Sequence, residues 1–278
     1  MTRPIDLVGL AELEQFPVLF VDQFGVLHDG RSPYPGVVAA LKALRDAGRR
    51  VIVLSNSGRP GSHNAARLAR LGIPRDFYQT IVTSGDTALA MVRSGSAFVR
   101  AGSRCFVVSS AGDAELAGLF GLVAETDVAC ADLVLIAGSQ GDRMSEHDYT
   151  SLLAPAARRG VPALCVNPDR VMLAPGGNAF GAGRIAELYE AAGGSVQWIG
   201  KPHAAIYTHA ARIAEVAAET VLCIGDSVEH DIVGARRFGA AAALVRTGIH
   251  AGESDSTLSA LFQAHDVIPD YLLKSLVW

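Results

Sequence analysis

FVDQFGVLHDG, Phe20–Gly30, is the stretch on which the reading of this chain turns. The apolar run Val18–Val21 ends abruptly in Asp22, and Gly25 follows three residues later. A carboxylate at the tip of a buried strand, followed by a tight turn, is how many α/β enzymes present a nucleophile or a metal ligand. Position 24, where a second carboxylate would complete a familiar pair, holds Phe24.

Outward from that strand, short apolar runs alternate with helical stretches, the pattern of a parallel sheet covered by helices. Strands are predicted at Val18–Val21, Val51–Leu54 and Ile81–Thr83, and helices over Val37–Ala47, Ala65–Leu71 and Thr87–Val92. Gly48 supplies a C-cap to the first helix, and Gly72 ends the second. Near Gly95 the order becomes less regular. Runs at Cys105–Val108, Leu133–Ile136 and Ala163–Val166 alternate with helices near Ala114–Leu119 and His147–Arg158, a second βαβ pattern. The glycine-rich GGNAFGAGR, Gly176–Arg184, leads into a helix over Ile185–Ala192. From Val196 the first pattern returns, with strands at Val196–Ile199, Val221–Ile224 and Ala241–Val245. The fold class is therefore α/β. A Rossmann-like parallel-sheet core is expected from residues 1–95 and 196–278, with an inserted α/β cap domain over 96–195.

With 278 residues, 50% of them hydrophobic and 19% charged, the chain suits a globular protein of two domains. No apolar run approaches the ~20 residues of a membrane helix. The opening MTRPIDLVGLAELEQF has acids among its leucines and no apolar signal core, so a cytoplasmic protein is expected. Cys105, Cys130, Cys165 and Cys223 are widely spaced and read as buried, reduced thiols. The net charge of −4, without a basic block, argues against nucleic acid as a partner. Of 24 basic residues only Lys42, Lys201 and Lys274 are lysines, so the place of each is informative.

Four features fall at or near predicted strand ends, where open α/β sheets bind ligands. They are Asp22, the Ser55–Asn56 pair of VLSNSGR, Lys201 of GKPH, and Asp226 with Asp231 of CIGDSVEHDI. Ser55 and Asn56 precede a helix, where hydroxyl, amide and backbone N–H groups hold anionic oxygens. Mg²⁺ prefers oxygen ligands, commonly one or two carboxylates plus phosphate and water. Asp22 and Asp226 are the expected direct ligands, with Asp231 supporting from the loop or through water. The ion and Lys201 would neutralise a phosphate, so that Asp22 could attack phosphorus and form an aspartyl-phosphate for water to hydrolyse.

The ordered set DQFGVL, LSNSGR, GKPH and GDSVEHD resembles the four motifs of the haloacid dehalogenase superfamily. The inserted middle third, Asn167–Asp169 and the GAGR–helix–GG–GKP run resemble its subclass IIA, which carries a large α/β cap between the second and third motifs. That branch includes nucleotide, sugar and pyridoxal phosphate phosphatases. The resemblance implies Asp22 as nucleophile, the Phe24 backbone carbonyl as a metal ligand, and Ser55 as phosphate ligand. It further implies that Lys201 orients nucleophile and phosphate, that Asp226 and Asp231 hold Mg²⁺, and that a homodimer forms through the cap.

Phe24 keeps the metal-binding carbonyl but lacks the side-chain acid that protonates the leaving oxygen, a contribution of roughly 10²–10⁴ in rate. Three functions accommodate that departure. The first is a phosphohydrolase or phosphotransferase of reduced or specialised activity on a small phosphorylated metabolite. In it His28, Asp29, His203, Glu229 or His230 could replace the acid. The second is carbon–halogen or carbon–phosphorus cleavage, opposed by the retained Asp226 and Asp231 and by the absence of lysine between residues 96 and 195. The third is a non-catalytic module that binds a phosphometabolite. Asn167 and Asp169 are the substrate-pocket candidates, with Arg170 available to an anionic group; an Asx turn and an exposed arginine are the plainer readings. Gly181 and Gly183 are expected to permit close packing.

Overall fold

The computed structural model describes residues 3–110, 115–174 and 177–278. They form two compact units. The first comprises the described residues of 1–55, 61–82 and 201–278, the second those of 56–60 and 83–200.

In the first unit, Val18–Asp22 lies inside a seven-stranded sheet. Its order is Ile5–Leu7, Tyr271–Leu273, Ala241–Val245, Val221–Gly225, Val18–Asp22, Arg50–Ser55, Thr80–Thr83. Val18–Asp22 pairs parallel with both neighbours, in a register that sets Val21 beside Ile224 and Asp22 beside Leu54. Asp22, Ser55 and Asp226 thus come to the carboxyl ends of adjacent strands. Alternate side chains divide between two cores, as the two-residue period of a strand requires. Leu19 and Val21 join Leu41, Leu44 and Leu68, from helices Val37–Asp46 and Gly61–Arg70. Val18 and Phe20 join Ile206, Tyr207 and Ala210, from helix Ala204–Ala214. Helices on both faces explain why the strand is apolar throughout rather than alternating.

The second unit is built on five parallel strands in the order Ser195–Trp198, Pro162–Cys165, Leu133–Ile136, Arg104–Val108, Val123–Glu125. Helices Glu146–Arg158 and Ala182–Ala191 cover one face, Ser84–Ser94 and Glu115–Leu119 the other. Val171–Ala174 and Gly177–Phe180 form an antiparallel hairpin.

Two expectations are corrected here. The strand expected to return the chain to the core at Val196 is Ser195–Trp198, and it pairs with Pro162–Cys165 in the second sheet. The second unit also takes in helix Ser84–Ser94, whose Ala88 and Val92 pack with Cys105 and Leu135. The glycine-rich stretch is partly strand, and its Gly176 lies outside the described residues, as does Ala114 of the predicted helix. Cys105, Cys165 and Cys223 are buried free thiols as expected, whereas Cys130 is exposed. Among the described residues no helix is long and apolar enough to cross a membrane.

Arg49 fastens the N-terminal segment of the first unit. Its guanidinium, 9% exposed, donates to the carbonyls of Phe16 at 3.0 Å, Leu10 at 3.2 Å and Leu13 at 2.8 Å. Arg49→Met leaves these carbonyls short of donors and is expected to cost about 2–3 kcal/mol, read by urea unfolding.

Candidate active site

Asp22, Asp226 and Asp231 converge so that one carboxylate oxygen from each lies within 4.8 Å of the others. A single lysine ties two of them together. Lys201 Nζ donates to Asp22 Oδ1 at 2.5 Å and to Asp231 Oδ1 at 2.7 Å, and its side chain is 4% exposed. Asp231 Oδ2 also accepts from the Ser227 N–H at 3.1 Å. Asp226 Oδ2 accepts from the Ile249 N–H at 2.7 Å.

The backbone around these carboxylates leaves no room for side chains. A Cβ at Gly25 would stand 2.1 Å from Asp226 Oδ2, one at Gly248 1.9 Å from the same oxygen, and one at Gly225 2.0 Å from Asp231 Cγ. Gly25 and Gly248 also have φ of +87° and +64°, which glycine adopts at no steric cost. Thr247 Oγ1 donates to the Gly25 carbonyl at 2.5 Å, fastening the loop after Ala241–Val245 to the loop after Asp22. The sequence reading missed Thr247–Ile249. The available signal was a glycine shortly beyond a predicted strand end, in the position that Gly25 holds after Asp22.

Two buried carboxylates and the half-buried Asp22 against one ammonium leave an excess of negative charge. Burial raises the Asp22 carboxyl to about 6 against the pull of Lys201, with Asp231 adding to the rise. Burial likewise raises Asp226 to about 8, reinforced by the Asp22 and Asp231 charges. Burial alone would lower Lys201, but Asp22 and Asp231 more than offset it and hold the ammonium charged. Hard oxygen donors with unneutralised charge fit a divalent cation such as Mg²⁺, with Asp22, Asp226 and Asp231 as the residues that could hold it.

Phe24 is 43% exposed, and its ring meets that of His28 edge to face, with centroids 5.7 Å apart. His28 is fully buried. Its Nδ1 accepts from the Gly30 N–H at 2.9 Å, so in the neutral ring Nε2 carries the hydrogen. The Gln23 amide lies 3.2 Å from Nε2, and its Oε1, otherwise buried without a partner, is the end that can accept. Burial, with Arg67 adding, pushes the imidazole down to about 4. His28 is therefore a neutral ring with both nitrogens engaged, and it is not the replacement acid that its position suggested. Asp29 is fully exposed, and its Oδ1 accepts from the N–H groups of Arg31 and Ser32, both at 2.8 Å, capping the turn. His203 is shifted down by burial, with Arg237 and His230 adding. Glu229 and His230 lie in the helical turn Val228–Ile232.

In the second unit the Asp169 N–H meets Asn167 Oδ1 at 3.2 Å, the Asx-turn reading of that run. Arg170 is exposed and ion-paired with Glu187. Gly181 and Gly183 serve close packing, since a Cβ at either would lie 2.2 Å or less from a carbonyl oxygen of Asp169 or Pro168.

Residues 19–123 match the family of haloacid dehalogenase-like hydrolases, and residues 198–276 match a second, HAD-hydrolase-like family. The chain is 27% identical over 261 residues to the sugar-phosphatase AraL of Bacillus subtilis, covering 93% of this chain and 90% of that protein. A haloacid dehalogenase-like hydrolase from Brucella suis superposes with a TM-score of 0.82 at 29% identity, covering 98% of this chain and all of the other. A glycerol phosphate phosphatase from Mycobacterium tuberculosis, solved with magnesium, superposes with a TM-score of 0.69 at 26% identity, covering 87% and 71% of the two chains.

Asp22 and Asp226 bind their protons more tightly in the metal-free fold than in the unfolded chain. The associated stability is full below about pH 4 and is lost as pH rises through about 6 and then about 8. The melting temperature after EDTA treatment should therefore fall from pH 4 to 8, and the rise on adding Mg²⁺ should grow over the same range. An increment independent of pH would contradict the assignment. Gly248→Ala, which drives a methyl into Asp226 Oδ2, is expected to weaken Mg²⁺ binding roughly tenfold or more by calorimetry.

Proposed function

We propose that this chain, a phosphohydrolase of the haloacid dehalogenase-like hydrolases, acts on small sugar or polyol phosphates through a phosphorylated Asp22. The observation that carries this reading is the junction of Asp22, Lys201 and Asp231 beside Asp226, buried and held by hydrogen bonds. The substrate class is supported by the names of the relatives, a sugar phosphatase and a glycerol phosphate phosphatase. A cytoplasmic metabolite pool is the setting this reading takes, with no part for nucleic acid or membrane.

Asp22 attacks phosphorus through a carboxylate oxygen, and the bond to the leaving oxygen breaks, its electron pair departing with the alcohol. Lys201 keeps Asp22 ionised and aimed, and offers its charge to the phosphoryl oxygens. The Ser55 hydroxyl, at the end of the neighbouring strand, is the proposed phosphate ligand. Asp22, Asp226 and the Phe24 carbonyl would hold a magnesium ion, with Asp231 in support, and the bound ion would supply the remaining neutralisation of phosphate charge. Phe24 has no proton to give, so the leaving oxygen departs as an alkoxide that water protonates. Water then attacks the phosphoryl-aspartate, releasing inorganic phosphate and restoring the Asp22 carboxylate. The step that needs the acid is thus the slow one, and substrates whose leaving oxygen is already a weak base escape the penalty.

Mg²⁺-dependent phosphate release, measured across sugar phosphates, glycerol phosphate and acetyl phosphate, tests this. Activity is expected with the wild type, highest on acetyl phosphate, and none with Asp22→Asn. Phe24→Asp is expected to raise phosphomonoester turnover by up to the roughly 10²–10⁴ that general acid–base catalysis contributes. Silence of the wild type across the panel would overturn the reading and leave a protein that binds phosphometabolites without turning them over.

A further inference from the structure

The stretch VLSNSGR and the run Asn167–Asp169 read in the sequence as separate contacts to substrate; within the second unit they are bonded to each other. Residues 56–60 cluster with 83–200 rather than with the strand that Ser55 ends. Asn56, 6% exposed, donates from Nδ2 to Asp169 Oδ1 at 2.8 Å. Asp169 is itself fixed through its backbone. Its N–H meets Asn167 Oδ1 at 3.2 Å, and its carbonyl accepts from the Gly183 N–H at 2.9 Å, at the start of helix Ala182–Ala191. Packing around this chain of contacts has no slack. A Cβ at Gly183 would lie 2.0 Å from the Pro168 carbonyl oxygen, and one at Gly200 2.8 Å from Asn56 Oδ1. One at Gly85 would lie 2.3 Å from the Gly58 carbonyl oxygen.

We propose that Asp169 is a positioning residue for the phosphate-binding loop, acting through Asn56 on the peptide that carries Ser55. This rests on the phosphohydrolase reading. A carboxylate is a poor direct neighbour for a phosphate, because like charges repel in a site of low dielectric. Turned onto Asn56, the same carboxylate removes the rotational freedom of the amide next to Ser55. The donors facing the phosphoryl group are then ordered before substrate arrives, at no entropic cost during binding. Asp169 therefore acts on the phosphoryl end, which all substrates share, and leaves the discrimination of leaving groups to other residues.

The test is the affinity of inorganic phosphate in the presence of Mg²⁺, measured by calorimetry, together with kcat and KM on two phosphomonoesters with different leaving groups. Asp169→Ala is expected to weaken phosphate binding roughly 5- to 10-fold, the scale of one lost hydrogen bond, and to raise both KM values by the same factor. Asp169→Asn retains an oxygen acceptor and is expected to recover most of the loss. The double variant Asn56→Ala, Asp169→Ala should be no worse than either single one, because both remove one interaction. Should Asp169→Ala fail to fold, Asn56→Ala tests the same bond. Unchanged phosphate affinity with KM altered for only one ester would place Asp169 on the leaving group and overturn the proposal. A wild type that binds no phosphate removes the phosphohydrolase reading, and the proposal with it.

Discussion

Everything at the carboxyl edge of the first sheet is arranged around one buried ammonium. Lys201 donates to Asp22 and Asp231, and removing it would leave those largely buried carboxylates beside Asp226 with no ammonium between them. Breaking a buried ion pair by deleting one partner is far more costly than never having built it, because the surviving charge is stranded. Yet one ammonium does not balance three carboxylates. The upward shifts of Asp22 and Asp226 express that deficit in protons. A divalent cation expresses it in metal. The same imbalance that weakens the metal-free fold at neutral pH therefore gives the site its appetite for a cation, and stability and function are linked through one charge count.

That arrangement demands close backbone approach, which accounts for the glycines. Gly25, Gly225 and Gly248 each occupy a place where a methyl group would overlap an Asp226 or Asp231 side-chain atom. The carboxylates are pressed against main chain rather than against side chains that could swing away. Two of them accept backbone N–H donors as well, Asp226 from Ile249 and Asp231 from Ser227. The convergence of these carboxylates is thus held by the main chain of the loops.

Much of this is legible in the sequence, because the signals are local. Val18–Val21, Val51–Leu54 and Val221–Ile224 are apolar throughout since both faces of their sheet are covered, and each ends where a polar residue must emerge. Those endings and the scarcity of lysine point to Asp22, Asp226, Asp231 and Lys201, which the fold brings together. What escaped notice lacked a local signature. Ile5–Leu7 and Tyr271–Leu273 are three residues each, at one edge, and they pair with each other across the whole length of the chain. The strand Ser195–Trp198 has the composition of a core strand, but its partner Pro162–Cys165 is chosen by long-range packing, which periodicity cannot report. The bond from Asn56 to Asp169 joins residues 113 positions apart, and neither motif alone points to the other.

Phe24 raises the remaining question, how the loop after Asp22 is shaped with no acid at position 24. The bonds that shape the loop do not involve the side chain at position 24. Gly25 N–H donates to the His28 carbonyl at 2.9 Å, Leu27 N–H to the Gln23 carbonyl at 3.0 Å, and Gly30 N–H to His28 Nδ1. His28 and Gln23 close the interior of the turn, and the Phe24 ring lies edge to face with the imidazole from the outside. An aromatic there adds apolar contact to a neutral, buried histidine, which a carboxylate would instead tend to charge. On the proposed reading, phenylalanine at position 24 therefore offers no proton to the leaving oxygen, while the backbone bonds of the loop stay in place. In the proposed reaction Asp22 and Lys201 serve the attack, the residue-24 carbonyl stays available to a cation, and only the fate of the leaving oxygen depends on the side chain at position 24.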